Sequence, residues 1–510
     1  MTTMPLLSTI IFLPLLGAAA LLFFSRRAEG AIKGFALGVS LLNFLVSLGV
    51  LFRFRSGTAG FQFEEQVPWI AGVISYHVGI DGISLWLVML TTVLTPIAIL
   101  ASFGAITSRI KEYMILFLLL ETAMLGTFLA LDLFLFYVFW EAVLIPMALI
   151  IGVWGTGRRI YSAVKFFLFT MAGSVLMLVA IIALFFIAGG RSFDLTYVLA
   201  APLSPEQQFI LFLAFAIAFA IKVPMFPFHT WLPDAHVDAP TAGSVILAAI
   251  LLKMGTYGFL RFCLSLFPAA AAQLSPLILT LAVIGIIYGA IVATVQPDMK
   301  KLVAYSSVSH LGFVMLGMFA FNMQGLQGSL IQMVNHGVST GALFLIVGIL
   351  YERAHTRLIA EFGGVARLMP VFAAFFLVMM FSSAGLPGTN GFIGEFLILL
   401  GAFRDEFSRW WAVAGATGVI LAAVYLLWWY QRVMQGPVNV HVPMPDLHLR
   451  EVLTLAPLVI LVFWIGLYPN FFLSRSEASL QVIEQRLASA MAERPQPLTL
   501  LAPWGRETPR

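Results

Sequence analysis

Long apolar runs, separated by short polar loops, dominate the chain. A membrane-spanning helix needs about 20 mostly apolar residues, and the sequence contains about 14 such runs. They lie near 5–24, 31–52, 82–103, 113–131, 133–154, 163–188, 207–228, 241–262, 276–295, 302–320, 328–350, 370–402, 410–431 and 451–471. The first run has almost no basic residues before it and no clear cleavage signal, so we expect a retained helix rather than a signal peptide. The pattern predicts an all-α polytopic membrane protein.

Composition supports the same class and excludes several others. Hydrophobic residues make up 61% of the chain and charged residues 10%, against about 45–50% and 25% in soluble domains. The net charge of +4 reflects loop lysines and arginines, so no nucleic-acid partner is predicted. Cys263 is the only cysteine, which excludes a disulfide within the chain, a Cys-x-x-Cys metal site and an iron–sulfur cluster. No glycine-rich nucleotide-binding motif is present.

The charges of the loops predict the orientation. If the N-terminus is outside, the inner loops carry roughly 14 lysines and arginines and the outer loops roughly 6. This excess places both termini on the periplasmic side. The polar tail from about residue 474 is expected to lie on the surface as a short helix.

Two of the apolar runs are interrupted where a continuous helix should cross. The first break, 220–234, contains prolines and Lys222; the second, 382–395, contains a proline, several glycines and Glu395. Proline removes a backbone donor, and bare backbone at membrane depth is tolerated only beside protein or a water-filled cavity. Paired broken helices are typical of inverted repeats with an ion path between them. The alternative, that the prolines merely kink two packed helices, leaves both adjacent charges unexplained.

The breaks lie about five spans apart, and an odd offset reverses the orientation in the membrane. Helices 4–8 and 9–13 are therefore predicted to form two inverted five-helix repeats, each with one broken helix. The expected divisions are 1–105 for helices 1–3, 106–265 for the first repeat, 266–435 for the second, and 436–510 for helix 14 and the polar tail.

Four charged residues lie in apolar surroundings and are the main candidates for function: Glu141, Lys222, Lys253 and Glu395. A lysine at the centre of a bilayer costs several kcal/mol, so such a charge needs partners, water or a role. A pair of Glu141 and Lys222 would have two states, paired and charged or separated and neutral, as a proton relay requires. The alternative for Glu141 is a carboxyl group that burial keeps neutral and that bonds a neighbouring helix.

Further titratable residues are weaker candidates. His310 and His336 lie in apolar spans and can transfer protons near neutral pH, although packing roles fit them equally well. Lys165 is close enough to the inner interface for its amine to reach water, yet it could also modulate Glu141. Glu121 lies deep and has no obvious partner.

Asp234, His236 and Asp238 have the residue types of a metal site. They follow a proline-rich break at a helix start, so helix capping and loop closure are the preferred interpretation. No metal site is predicted.

Several motifs together resemble a known family. The segment PFHTWLPDAHVDAPTAGSVIL at 227–247, LLKMGTYG at 251–258, DMKKLVAYSS at 298–307 and the break at Glu395 resemble the antiporter-like proton-channel chains of respiratory complex I, and most closely their subunit M or chain 4 branch. The resemblance covers essentially the whole chain. It implies 14 core helices and a proton route in which Glu141 and Lys222 form the input pair, Lys253 is central and Glu395 is the exit residue. His310 and His336 fit the polar axis between the repeats.

The resemblance also implies partners and location. The chain would be a proton-translocating subunit of NADH:quinone oxidoreductase without its own redox centre or cofactor, with NAD, FMN, iron–sulfur clusters and quinone in other subunits. Its partners would be the other complex I membrane subunits, including two sister antiporter-like chains and the lateral helix of the largest one, together with lipids. The bacterial inner membrane is expected, rather than the mitochondrial one.

Two other functions stay open. A subunit of a multi-subunit Mrp-type Na⁺/H⁺ antiporter would share the fold and motifs, but those chains usually have lysine where this chain has Glu395. A purely structural membrane scaffold is the other alternative, and it does not explain four buried charges.

Overall fold

A computed structural model describes residues 5–440 and 442–492, and it is mainly helical because backbone groups in a bilayer must bond within their own segment. The helices before the first break are α1 Leu6–Leu21, α2 Glu29–Arg53, α3 Ser84–Ala105, α4 Ile110–Leu129, α5 Leu133–Ala142, α6 Leu144–Trp154, α7 Arg159–Ile187, α8 Leu195–Leu199 and α9 Pro205–Lys222. Those between the two breaks are α10 Trp231–Asp238, α11 Thr241–Ile246, α12 Leu252–Gly258, α13 Leu264–Leu266, α14 Pro268–Thr294, α15 Met299–Met318, α16 Met323–Ala354, α17 Val365–Leu368 and α18 Pro370–Ser383. The last are α19 Asn390–Arg404, α20 Arg409–Met434, α21 Leu449–Leu467 and α22 Asn470–Ala492, and a 3₁₀ turn covers Ile359–Glu361.

Eleven helical segments in the described part are long and apolar enough to cross a membrane, which confirms a multi-pass membrane protein. Each coincides with a predicted span. The other three predicted spans correspond to α1, which has 16 residues, to the more polar α15, and to the broken pair α18 and α19. The total of 14 spans stays a prediction.

A β-hairpin corrects the all-α prediction. Strand β1, Gln62–Ile70, pairs antiparallel with β2, Ile74–Ile80, between α2 and α3. It closes over the ends of other helices: Glu65 accepts hydrogen bonds from the first backbone N–H groups of α1, and the backbone of His77 accepts one from Leu131. The hydropathy pattern missed the hairpin because its strands are short, polar on one face and interrupted by Pro68.

Both predicted breaks are present. Helix α9 ends at Lys222 and α10 begins at Trp231, whose indole N–H donates to the carbonyl oxygen of Ile221 across the gap at 2.8 Å. Helix α18 ends at Ser383 and α19 begins at Asn390. Each break therefore leaves a helix end inside the protein, beside Lys222 or within two turns of Glu395.

The segment around Lys253 has a distortion that the sequence pattern did not indicate. Two π-helical turns, Leu247–Leu251 and Phe259–Cys263, flank α12. Wider turns of this kind often accompany functional sites. A Cβ atom at Gly255 would lie 2.9 Å from the carbonyl oxygen of Phe219, so glycine lets α12 approach α9 at backbone distance.

The C-terminal tail also differs from its prediction. Helix α22 has 23 residues rather than being short, and one face of it is buried, including Leu480, Ile483 and Leu487. Its Ser479 hydroxyl accepts a hydrogen bond from the backbone of Gly82, which ties the tail to the start of α3. The part of the predicted tail at 493–510 lies outside the described residues.

Candidate functional site

Lys253 and His336 form the centre of a buried polar line. The Lys253 amine lies 2.5 Å from Nδ1 of His336 and donates to the carbonyl oxygen of Ala248, in the first π-helical turn, at 2.6 Å. Both side chains are buried. The structure thus brings together two predicted site residues from α12 and α16.

The line continues from His336 to Glu395. The rings of His336 and His310 have their centroids 6.0 Å apart. Nδ1 of His310 lies 3.1 Å from Oε1 of Glu395, and Gln332 donates to the same oxygen at 3.2 Å. The hydroxyl of Tyr425 lies 3.2 Å from Nε2 of His310. Three titratable residues from α15, α16 and α19 therefore lie within direct or one-water reach of their neighbours.

Amides and hydroxyls hold the second break beside this line. Asn335 donates to the carbonyl oxygen of Asn390 at 2.7 Å, while the Asn390 side chain donates to Ser339 and accepts from Ser382. These groups form hydrogen bonds with backbone and side-chain atoms in the gap where α18 ends and α19 begins. Sequence analysis missed them because neutral polar residues are common in membrane helices.

Glu141 and Lys222 are neighbours without a direct ion pair. Lys222 is the last residue of α9, and its amine lies 5.2 Å from the ring centre of Trp140 and 5.6 Å from that of Phe166. Neither this amine nor Oε1 of Glu141 bonds a described residue. Glu141 and Lys222 are thus charged neighbours without a hydrogen bond between them, which corresponds to the separated arrangement of the pair.

Near Lys253, the structure places a histidine to which sequence analysis gave a role in helix capping and loop closure. His236 is fully buried in α10, its ring stacks on Phe344 at 4.5 Å, and both ring nitrogens lack a bonding partner among the described residues. Its charged neighbours are Lys300 and Lys253. The signal that could have found it is a histidine inside a broken membrane helix.

The other predicted roles in this segment need correction. No side chain caps α10 or α11. Asp234 instead pairs with Lys165 at 2.6 Å, so Lys165 has a partner of its own and does not contact Glu141. Asp238 accepts from the Ser162 hydroxyl at 2.6 Å, and its backbone accepts from Thr156, which fits loop closure.

Glu121 also has a partner that was not predicted. Its Oε1 accepts from the side-chain amide of Asn43 at 2.8 Å, between α4 and α2. Both residues are fully buried. This contact lies outside the polar line from Lys253 to Glu395.

A cavity of about 400 Å³ is lined by residues of the segments 104–106, 154–156, 239–241 and 347–357 and by Lys300. Its polar and charged lining includes Thr241, Glu352 and Arg357. The amine of Lys300 donates to the carbonyl oxygen of Ala239 at 2.5 Å, next to the helix that carries His236. Water in this cavity would therefore reach Lys300, which is a charged neighbour of His236.

Broken helices around a buried line of lysine, histidine and glutamate define a membrane protein of the antiporter-like, ion-translocating class. Two family models match the sequence: NADH:quinone oxidoreductase/Mrp antiporter over residues 130–424, and the amino terminus of NADH-ubiquinone oxidoreductase chain 4 over residues 35–131.

Individual proteins agree with these matches. NADH-quinone oxidoreductase subunit M of Rhodobacter capsulatus is 49% identical over 91% of this chain and 93% of its own length. NADH-ubiquinone oxidoreductase chain 4 of Marchantia polymorpha is 48% identical over 94% and 97%. A chain of respiratory complex I from Thermus thermophilus superposes with a TM-score of 0.86 at 33% identity, covering 94% of this chain and 99% of that one. The chain belongs to the subunit M and chain 4 family of NADH:quinone oxidoreductase membrane subunits.

Proposed function

We propose that this chain is a proton-translocating membrane subunit of NADH:quinone oxidoreductase, and that protons move along its buried polar line. The observation that carries the proposal is the succession Lys253, His336, His310, Glu395, in which each group lies near the next. Each can bind and release a proton, and together they lead from α12 to α19, the helix that follows the second break.

The input half of the route would run through Glu141, Lys222 and His236. Because Glu141 and Lys222 are close but unpaired, a modest side-chain movement would bring them into contact. The energy between two unit charges about 8 Å apart is about 2 kcal/mol at an effective dielectric of 20. A charge that arrives beside Lys222 can therefore change its proton occupancy by more than tenfold.

His236 offers a further place for the proton beside Lys253 and Lys300. Its neutral ring can accept from one side and donate to the other. The cavity beside Lys300 supplies access to water from the inner side, and the outer exit lies at Glu395. From Lys253 to Glu395, each step then needs only a transfer between neighbouring groups or through one water.

The finer arrangement is also part of the proposal. We infer 14 membrane helices, inverted repeats at helices 4–8 and 9–13 between two flanking parts, and periplasmic termini in a bacterial inner membrane. The loop charges and the two breaks support this. NADH oxidation and quinone reduction would take place in other subunits, and sister antiporter-like chains with a lateral helix would flank this one.

A subunit of an Mrp-type Na⁺/H⁺ antiporter is less favoured. The model that covers 130–424 describes both groups, whereas the one that covers 35–131 describes chain 4 of NADH-ubiquinone oxidoreductase. Glu395, hydrogen-bonded to Gln332 and close to His310, also stands where antiporter chains usually have lysine.

The test is proton pumping by the intact complex in sealed vesicles. His336→Gln should lower the protons moved per NADH oxidised while the complex still assembles, and His77→Gln, a change of the same type outside the line, should leave this ratio unchanged. Normal pumping by an assembled His336→Gln complex would overturn the route. Proton movement that depends on a Na⁺ gradient and not on NADH oxidation would favour the antiporter.

A further inference from the structure

An apolar groove of about 160 Å³ lies between α2, α3, α16, α21 and the start of α22. Its floor includes Met89, Val334 and Val338, which are buried, and its rim includes Phe52 and Trp464, which are 79% and 41% exposed. A deep apolar floor with an exposed aromatic rim is suited to a flexible hydrocarbon chain.

A guanidinium group stands at one end of this groove. Arg475, in the first turns of α22, stacks over the ring of Phe471, which lines the groove, with 3.9 Å from Cζ to the ring centre. One of its terminal nitrogens donates to the carbonyl oxygen of Phe471 at 2.6 Å, but its Nε is buried and has no partner. Among residues 5–440 and 442–492, no carboxylate lies within ion-pair distance of it. Arg475 itself is partly exposed, so its guanidinium, which has no carboxylate partner among the described residues, can attract an anion.

The surrounding residues indicate the depth of this end in the membrane. Tyr468, directly after α21, is 70% exposed, and Trp464 lies one turn before it. Tyrosine and tryptophan concentrate at the boundary between hydrocarbon and headgroups. The guanidinium thus lies at the level of lipid phosphates, while the groove extends toward the hydrocarbon.

We propose that this groove binds an anionic phospholipid, with one acyl chain in the groove and the phosphate on Arg475. An apolar groove with a cationic group at one end fits a single amphiphilic molecule. A free anion would leave the groove empty, and an uncharged hydrocarbon would leave Arg475 without a partner. The site also lies behind the polar line: Val334 and Val338 flank His336 on α16, and Leu90 of the lining packs on Gly337. A bound lipid would therefore support the back of the helix that carries His336.

The experiment is photo-labelling of the intact complex in membranes. The probe is a phosphatidylglycerol with a diazirine on one acyl chain, and the readout is labelled peptide from α2, α3 and α21. We expect Arg475→Gln to reduce the labelling about tenfold, as loss of a charge-assisted hydrogen bond implies, and Arg475→Lys to retain part of it. Leu48→Trp should reduce the labelling by filling the groove.

Arg486→Gln is the matched control, because Arg486 is on the same helix but donates to the carbonyl oxygen of Ser265, away from the groove. Unchanged labelling in Arg475→Gln would overturn the proposal. So would equal competition by phosphatidylcholine and phosphatidylglycerol. A photo-crosslinking amino acid at Phe52 that captures another membrane subunit instead of lipid would show that protein covers the groove. These readouts do not depend on proton pumping.

Discussion

The amine of Lys253 and Nδ1 of His336 lie 2.5 Å apart, at the junction of the two halves of the buried polar line. Ala248 contributes only a carbonyl oxygen to the lysine, so the lysine always donates there. The second contact has two forms: a charged lysine donates to His336, or a neutral lysine accepts from it. A proton can therefore transfer between Lys253 and His336 at this contact without movement of the backbone.

The first prediction concerns Lys253. Lys253→Ala should lower proton pumping to less than about a tenth, a loss of more than about 1.4 kcal/mol in activation free energy, with the complex still assembled. Lys253→Arg should not restore it, because arginine keeps its proton. Pumping is measured in sealed vesicles with a pH-sensitive dye. A fully active Lys253→Arg complex would show that a fixed positive charge is sufficient.

The second prediction concerns Glu141. Glu141→Gln should abolish most of the quinone-linked NADH oxidation in coupled membranes, because the amide cannot take up charge beside Lys222, and Glu141→Asp should retain part. Glu121→Gln is the control: this carboxyl group is fully buried, whereas Glu141 is partly buried, and it contacts Asn43 rather than a residue of the line. If Glu141→Gln behaved like the control, the input role of Glu141 would be lost.

The third prediction concerns Glu395. If a titratable group is all that this position needs, Glu395→Lys should retain more activity than Glu395→Ala, even though lysine must fit beside His310 and Gln332. The measurement is the ratio of protons moved to NADH oxidised in the assembled variants. Wild-type ratios in both would leave Glu395 with a structural role only.

The fourth prediction concerns pH and the hairpin outside the membrane. Burial alone lowers the pKa of His77, but its contacts with Asp194 and Glu64 raise the pKa overall. For Asp194 the two effects are reversed. Burial alone raises its pKa, but hydrogen bonds from His77 and Thr196 lower the pKa overall. The raised histidine pKa gives stability that is complete below its unfolded pKa and is lost as the pH rises through the folded one. The lowered aspartate pKa gives stability that is lost as the pH falls through its folded value.

Protection of the hairpin amides against hydrogen exchange, relative to the exchange of an unfolded chain at the same pH, should therefore be highest between these two folded-state pKa values and should fall on the alkaline side of the histidine. His77→Gln should remove the alkaline loss of protection, because glutamine does not titrate. Arg55→Gln, a change on the exposed loop that leads to the hairpin, serves as the control. An identical pH profile in His77→Gln would contradict the assignment.

Local sequence properties were sufficient for much of this protein. Apolar length determines which segments cross a bilayer, and proline and glycine determine where a helix stops, so eleven spans and both breaks followed from the pattern. The cost of burying charge also marked Glu141, Lys222, Lys253 and Glu395 as candidates, since such residues are rare at membrane depth. The functional roles of these four stay predictions.

Only the tertiary structure determined which side chains contact one another. Lys165 pairs with Asp234, Glu121 bonds Asn43, and Lys253 meets His336 across 83 positions of the chain. Hydropathy records how deep a residue lies but not which face of its helix meets which neighbour. That depends on helix packing, on π-helical turns and on glycine contacts, which combine residues far apart in the sequence. The hairpin and the buried face of α22 depend in the same way on the helix ends that they cover.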